Sequence, residues 1–514
     1  MKFFNCLLLI FTLSIVSKPN IVIIVTDDLG WGDVSYHGGF IPTPNIDNFV
    51  KNGVELNRFY ANPTCSPTRA SLLTGLHIFN HGVIRPFMNP SAEQTGLPEH
   101  LKIMPEYFKE AGYQTALSGK WHLGMHKDEY LPTNRGFDSS YGHMLGGIGY
   151  FDHVASGRMD WHRDGMALNE DGYSTELIAD EAIRIIKNKD VNRPLFLYVA
   201  FNAPHTPIEA PDEDVNNFLY IDNELDRNYA ANVSKLDNEI GRIINSINES
   251  GILEQTIIIF FSDNGPVYDI NPIVKTVAPG LTKSRGSTAG LSGSKASALD
   301  GGIRVPAAIW WKGVLEKSKS DQFIFVQDIL PTLLSATETA YDDSFDGVDK
   351  WDSLLTKKII PPSNVFVGNK IIFDERALFN DNWKLYYKKP VMFDVEGSFK
   401  LFNIIKDPFE TNDLSNSEKT IFNQMKESLM SIEERNSIGV INPVQQYLFG
   451  DTEGGNVIGS PWLDRDYDLK KPVSKTKSFF VMTWILIQSF KYQLLSLIFF
   501  IIICRFAYIK YRLK

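Results

Sequence analysis

The chemistry of this sequence turns on Cys65, which stands in Pro63-Thr64-Cys65-Ser66-Pro67-Thr68-Arg69. The chain's other two cysteines, Cys6 and Cys504, lie near its two ends, so the body can form no internal disulfide. Placed in the first turn of a helix, Cys65 tolerates Pro67, because the first amide hydrogens of a helix have no partner in its ladder. Arg69 then falls one turn on, on the same face. The electropositive start of a helix stabilises negative charge beside position 65, and a neighbouring guanidinium grips sulfate or phosphate oxygens. The residues alone allow a thiolate nucleophile or an oxyanion pocket. A buried structural cysteine is the plain alternative.

A second kind of chemistry gathers behind apolar runs. Asp27-Asp28 follows NIVIIVT (20–26), His205 follows PLFLYVAF (194–201), and Asp263-Asn264 follows TIIIFF (256–261). Any one of these acids alone reads equally well as a helix cap or a turn residue, but two pairs in matching positions are a pattern. Unbroken apolar runs of this length suit strands buried on both faces of a parallel sheet, and VPAAIWW (305–311) is a fourth.

Helical patterns lie between the runs. Leu225, Tyr229, Val233, Leu236, Ile240, Ile243 and Ile247 place one apolar stripe along a long helix. Segment 174–187 is a second helix, with Ser174 as its expected cap, and 100–110 a third. The alternation predicts an α/β unit over residues 18–339. In such sheets ligands bind beyond the carboxyl ends of the strands, which is where the acids and His205 fall.

The segment around Cys65 resembles the signature of the sulfatase family, in which the Cys of Cys-x-Pro-x-Arg is oxidised during export to formylglycine; Thr68 stands where Ser is commonest. A second resemblance lies in Gly112-Tyr113-Gln114-Thr115-Ala116-Leu117-Ser118-Gly119-Lys120-Trp121-His122-Leu123-Gly124, and a third in Asp300-Gly301-Gly302-Ile303-Arg304-Val305-Pro306, where Asp300 replaces the usual Glu with little expected effect. LFNIIKDPFETNDL (401–414) resembles the closing part of the family. The implied fold is alkaline-phosphatase-like: a large mixed, mostly parallel sheet flanked by helices, with a smaller carboxyl-terminal α+β domain containing an antiparallel sheet.

The resemblance implies roles residue by residue. Asp27, Asp28, Asp263 and Asn264 would ligate a single Ca²⁺ together with the modified Cys65, and hard oxygen donors suit that ion. Arg69 and the metal would favour deprotonation of one hydroxyl of the hydrated aldehyde, which attacks sulfur. His122 would take the proton for the elimination that expels sulfate, and His205 with Lys295 would serve the leaving oxygen. Lys120 and Lys295 would neutralise sulfate oxygens. The implied partners are a sulfated glycan or another sulfate ester, and a formylglycine-generating enzyme during maturation. GKWHLGMHKDEYLPTNRGFDSSYG (119–142) looks most like the arylsulfatase B branch, which removes 4-sulfate from N-acetylgalactosamine of dermatan and chondroitin chains. Among the remaining histidines, His126 and His143 fall in expected rim loops; His77, His81, His153 and His162 read as rim or surface.

The rest of the chain supplies context. Residues 1–17 resemble a secretory signal peptide. Residues 340–450 carry short strand-like runs (NVFVGN, WKLYYKK, SFKLFNI), and 451–478 reads as a linker. The apolar segment 479–504, followed by a basic tail at 505–514, reads as a single-pass membrane anchor with a cytoplasmic tail. That places the body in the lumen or outside the cell, at the lysosome, plasma membrane or endoplasmic reticulum. Sequons occur at Asn232 and Asn248. The formal charge of -10, with no basic tract in the body, disfavours nucleic-acid binding; oligomeric state leaves no signal. Two other functions compete: a phosphoester or phosphonate hydrolase on the same scaffold, and a catalytically silent glycan-binding membrane protein.

Overall fold

The computed structural model describes residues 18–87, 96–125, 127–155, 158–268, 285–341, 344–371, 373–391 and 396–432. Its main sheet contains β1 (Asn20–Thr26), β2 (Val54–Tyr60), β3 (Gln114–Gly119), β4 (Ser139–Gly142), β7 (His162–Arg163), β8 (Met166–Ala167), β9 (Leu195–Ala200), β10 (Thr256–Ser262), β11 (Ala307–Trp311) and β12 (Ser318–Phe325). The short β5 (Val154–Ala155) and β6 (Arg158–Met159) pair separately. The order across the main sheet is β12-β2-β11-β10-β1-β9-β3-β4-β7-β8. The run from β10 to β4 is parallel throughout; β11 is antiparallel to both neighbours, and β7 and β8, a hairpin, close the far edge antiparallel to β4.

Every residue of β1 is buried, and its side chains divide between two cores. Ile21, Ile23 and Val25 join one hydrophobic cluster, while Val22 and Ile24 join the other. Both faces are covered, so the run needs no polar alternation. The helix Glu224–Glu249 buries Tyr229, Val233, Leu236, Ile240, Ile243 and Ile247 in the second cluster. Asn232 lies inside that packing with its Nδ2 donating to Glu209 O at 2.8 Å, so its sequon is closed in the folded protein; Asn248 is exposed. The helix Ser174–Lys187 begins one residue off the expected cap: Tyr173 is the cap, and Ser174 Oγ donates to Asn202 Oδ1 instead.

A second, antiparallel sheet follows: β13 (Val365–Lys370), β14 (Phe373–Asn380), β15 (Trp383–Pro390) and β16 (Ser398–Asn403). β14 has no clear strand pattern in the sequence, because Asp374, Glu375 and Arg376 interrupt it. Pairing explains their tolerance, with Arg376 bidentate to Asp374 and Glu375 paired to Lys388. One face of the sheet meets Tyr60, Ala298, Ile303, Phe323 and Phe325 of the larger unit. The other is covered by Met425 and Leu429 of the helix Lys419–Met430.

The expected membrane anchor is corrected here. Among the described residues no helix is long and apolar enough to cross a membrane, and residues 479–504, to which the span was assigned, lie outside the described residues, as do the signal segment 1–17, the linker and the tail. The membrane as a partner and a membrane-bound location are therefore not carried forward.

Candidate active site

β1 and β10 run in parallel register, Thr26 beside Ser262, so Asp27-Asp28 and Asp263-Asn264 leave the sheet side by side. Asp28 N donates to Asp263 Oδ1 at 3.4 Å and Asn264 Nδ2 to Asp28 Oδ1 at 2.6 Å. β3 and β9 end together at Gly119 and Ala200, which brings Lys120, His122 and His205 to the same edge. Cys65 is the first residue of the helix Cys65–Thr74, entered from β2, and Arg69 lies one turn on, as the spacing predicts.

The cations hold the acids in place. Arg69 Nε and Nη2 both donate to Asp263 Oδ2, at 3.1 and 2.7 Å, and Nη1 donates to Lys120 O and to Tyr198 Oη. Lys120 Nζ contacts Asp27 Oδ2 and Gly146 O, each at 2.5 Å. Lys295 Nζ reaches Asp28 Oδ1 at 2.6 Å, and His205 Nε2 lies 3.7 Å from Asp28 Oδ2. Three carboxylates thus face three basic side chains. Burial pushes Asp263 up to about 6 and raises Asp27; it acts on Asp28 in the same sense, but Lys295 and His205 outweigh it and hold that carboxyl at about 2.

Cys65, Asp27 and Asp263 offer ligand atoms within 4.8 Å of one another, and so do Asp27, Asp28 and His205. Asp27 Oδ1, Asp28 Oδ2 and Asn264 Oδ1 are buried with no hydrogen-bond partner. Orphaned buried oxygens are costly, and these three belong to residues at the adjoining ends of β1 and β10. The donor set fits a hard divalent cation such as Ca²⁺. Asp28 and His122 also hold left-handed backbone, with φ of 68° and 56°, a conformation non-glycine residues keep only where the surroundings enforce it.

Hydrogen bonding assigns the histidine tautomers. His122 Nε2 is 3.0 Å from Phe87 O; a carbonyl only accepts, so Nε2 carries the hydrogen and the buried, unpartnered Nδ1 is a free base. His205 Nδ1 is 2.7 Å from Thr206 O, which leaves Nε2 free by the same reasoning. Burial, reinforced by Lys120, holds His122 well below the ordinary histidine range; burial and Lys295 hold His205 down at about 3. His205 and Lys295 are the open members of the set, with side chains 15% and 12% exposed; the rest are at most a few per cent exposed. The mouth of the site therefore lies on their side.

Several contributors escaped the sequence reading. Tyr198 braces Arg69 from β9. The loop after β4 runs between the two histidines: a Cβ built on Gly146 would lie 2.7 Å from His122 Cε1, and one on Gly147 2.8 Å from His205 Nδ1. Asp160 pins that loop by accepting from Met144 N and Leu145 N. The paired glycines were the available signal. Of the histidines expected at the rim or surface, His143, His81, His153 and His162 are buried, and His77 caps the helix Ile78–His81 beside Asp346. His126 lies outside the described residues.

A family model described as Sulfatase matches residues 19–339. Arylsulfatase J of Mus musculus is 28% identical over 509 residues, covering 88% of this chain and 82% of its own length. The N-acetylgalactosamine-6-sulfatase of Rattus norvegicus is 31% identical, covering 69% of each chain. Among solved structures, Ps i-CgsB in complex with k-i-k-neocarrahexaose superposes with a TM-score of 0.71 at 27% identity, over 84% of this chain and 97% of that one. These relatives do not single out the arylsulfatase B branch that the sequence suggested.

Proposed function

The chain belongs to the sulfatase family, a hydrolase family whose membership implies a formylglycine- and calcium-dependent mechanism, and we propose that it releases sulfate from sulfated sugars using residue 65 as the nucleophile. The observation that carries the proposal is the convergence of Cys65, Asp27 and Asp263 within 4.8 Å, beside the unpartnered oxygens of Asp27, Asp28 and Asn264. Those four acid and amide side chains would hold Ca²⁺, which supplies positive charge to a sulfate oxygen. Formylglycine at position 65 supplies a carbon that can carry two hydroxyls where serine has one.

The remaining chemistry belongs to the chain's own groups. Arg69, locked to Asp263, keeps a guanidinium beside position 65 and favours an oxyanion there. Lys120 and Lys295 offset the charge of the sulfate oxygens. Buried His122 presents Nδ1 as the base for residue 65. At the open side, His205 Nε2 and Lys295 serve the departing sugar oxygen: a proton taken from solvent onto His205 Nε2 when the anionic substrate binds is donated to that oxygen as the sulfur–oxygen bond breaks, which returns His205 to the neutral form that burial favours at rest.

The finer form of the proposal is N-acetylgalactosamine 4-sulfate of dermatan or chondroitin, with the 6-sulfate as its competitor from the named relative. The test is sulfate release from oligosaccharides each sulfated at one position, with matched aryl sulfate and aryl phosphate alongside. Faster aryl phosphate hydrolysis would reject the reaction class, and exclusive 6-sulfate release would reject the finer form. Peptide mass analysis should find residue 65 as formylglycine in active protein; thiol in every molecule would refute the nucleophile.

A further inference from the structure

Lys295 differs from the other cations of the site in how it is held. Arg69 stands on a helix and Lys120 at a strand end, whereas Lys295 lies in an irregular stretch between Gly290 and Asp300 with left-handed backbone at Gly290, Gly293 and Ala296. Toward the site, Lys295 N donates to Pro266 O at 2.9 Å and Ala296 N to Pro63 O at 2.8 Å, two residues before Cys65. The contacts on its other side come from the carboxyl-terminal sheet and the turn after it. Asn369 Nδ2 donates to Ala296 O at 3.0 Å, and Ala298 N to Glu375 Oε2 at 3.1 Å. Asp300 N donates to Glu410 Oε2, Lys384 Nζ to Asp300 Oδ1, both at 2.7 Å, and Ser292 Oγ to Phe409 O at 2.6 Å.

Adhesion alone does not call for these side chains. Strand alternation puts Asn369, Glu375 and Lys384 on the same sheet face as Val367, Ala377, Phe379 and Tyr386, which already pack against the larger unit. An apolar face could dock as well at lower cost, since buried charges must be matched by good partners. The polar residues are nonetheless almost fully buried, at 1%, 2% and 0% exposure. Their partners include the backbone of the Lys295 loop and Asp300 at its foot, with Tyr386 Oη and Lys388 completing the shell of Glu375 and Glu410 that of Lys384. Ala296, the residue after Lys295, has φ of 71°, and its peptide groups are bonded on one side to the Cys65 turn and on the other to Asn369.

We propose that the carboxyl-terminal sheet is a working part of the active site, in which Asn369, Glu375 and Lys384 are positioning residues that hold Lys295 over the pocket. This rests on the reading of Lys295 as the residue that serves the leaving oxygen. Asp300, which stands where the family usually has Glu, is the foot of this clamp through its bond to Lys384.

The test is a double-mutant cycle read on two aryl sulfates, one with an activated leaving group and one without. Asn369→Ala should lower kcat/KM for the unactivated ester by about tenfold to a hundredfold, the scale of misplacing a group near the reacting atoms. The activated ester, which needs less help in departing, should lose less. In a Lys295→Ala background Asn369→Ala should add nothing. Glu375→Gln, whose oxygen still accepts from Ala298 N–H, should retain more activity than Glu375→Ala, and it keeps the test open should the alanine variant fail to fold. Met425→Ala, beneath the opposite face of the sheet, should lower stability and leave the ratio between the esters unchanged. Equal losses on both esters, or additivity with Lys295→Ala, would overturn the proposal. Wild-type protein that hydrolyses neither ester would instead overturn the assigned function, so the two failures are distinguishable.

Discussion

Gly146→Ala is the sharpest test of how the histidines are set. The new methyl would lie 2.7 Å from His122 Cε1 and 2.9 Å from Nε2, closer than carbon atoms approach without displacement. The ring has little room to yield. It is 3% exposed, its backbone N–H donates to Met144 O at 3.1 Å, and Nε2–H donates to Phe87 O. Either the ring rotates and gives up the Phe87 bond, or the loop shifts and carries Gly146 O away from Lys120 Nζ. Overpacking of this kind costs about 1–3 kcal/mol, and the lost hydrogen bond about 1 kcal/mol more. Stability measured by urea unfolding should therefore fall by about 2–4 kcal/mol. Displacing a reacting group by an ångström costs on the order of a hundredfold in rate, and kcat for sulfate release should fall by that order. Gly147→Ala crowds His205 as closely, at 2.8 Å, but that ring is partly open and can move outward, so its stability loss should be smaller. A Gly146→Ala protein with wild-type stability and kcat within twofold would refute the placement of the loop between the rings.

Three further outcomes follow from the site and its surroundings. Arg69→Met removes both hydrogen bonds to Asp263 and should cost roughly 3–5 kcal/mol in urea unfolding at neutral pH, the usual consequence of orphaning a buried charge; the loss should shrink as pH falls and Asp263, no longer held down by Arg69, takes up a proton, and a pH-independent loss would count against the ion pair as its source. Chelation of calcium should lower the unfolding temperature as well as activity, because the cation relieves three orphaned oxygens; at a hundredfold excess over Kd the ion stabilises by about 2.7 kcal/mol, and an unfolding temperature indifferent to calcium would contradict the assigned site. Burial pushes Asp160 from 3.8 up to about 6, against its two backbone hydrogen bonds. The native state then holds its proton longer than the unfolded chain, so stability is full below about pH 4 and declines as pH rises toward 6, by at most about 3 kcal/mol. Asp160→Asn should abolish that slope, and an unchanged slope in the variant would assign it to other groups.

The sheet and the gathering of polar side chains at its edge could be read directly because both are written in side-chain type. A strand buried on both faces must be apolar at every position, as β1 and β10 are, and the first polar residues after such a run mark its carboxyl end. Asp27, Asp28, Asp263 and Asn264 were found by that rule, and the parallel register of β1 with β10 turns two distant pairs into one cluster. The Cys65 helix was legible for a related reason: Pro67 fits the third position of a helix and few other places within one. The antiparallel placement of β11 was not legible, since VPAAIWW has the same unbroken character as the parallel strands; nothing in its composition records direction.

What stayed hidden acts through the backbone or through glycine's missing side chain. Phe87 O and Thr206 O decide which nitrogen of each histidine carries the hydrogen, yet any residue could supply those carbonyls. Gly146 O is a partner of Lys120, and its absent Cβ is what lets the loop touch His122. The polar residues of β14 look like a break in a strand until Ala298 N–H is seen to need Glu375. A buried Asn, Glu or Lys amid apolar neighbours is expensive unless it meets a group that cannot change, and backbone amides and carbonyls are such groups. The physical expectation is therefore that Asn369 and Glu375, which meet such groups at Ala296 and Ala298, resist substitution strongly, and that Lys384 does so because it joins the buried carboxylates of Asp300 and Glu410.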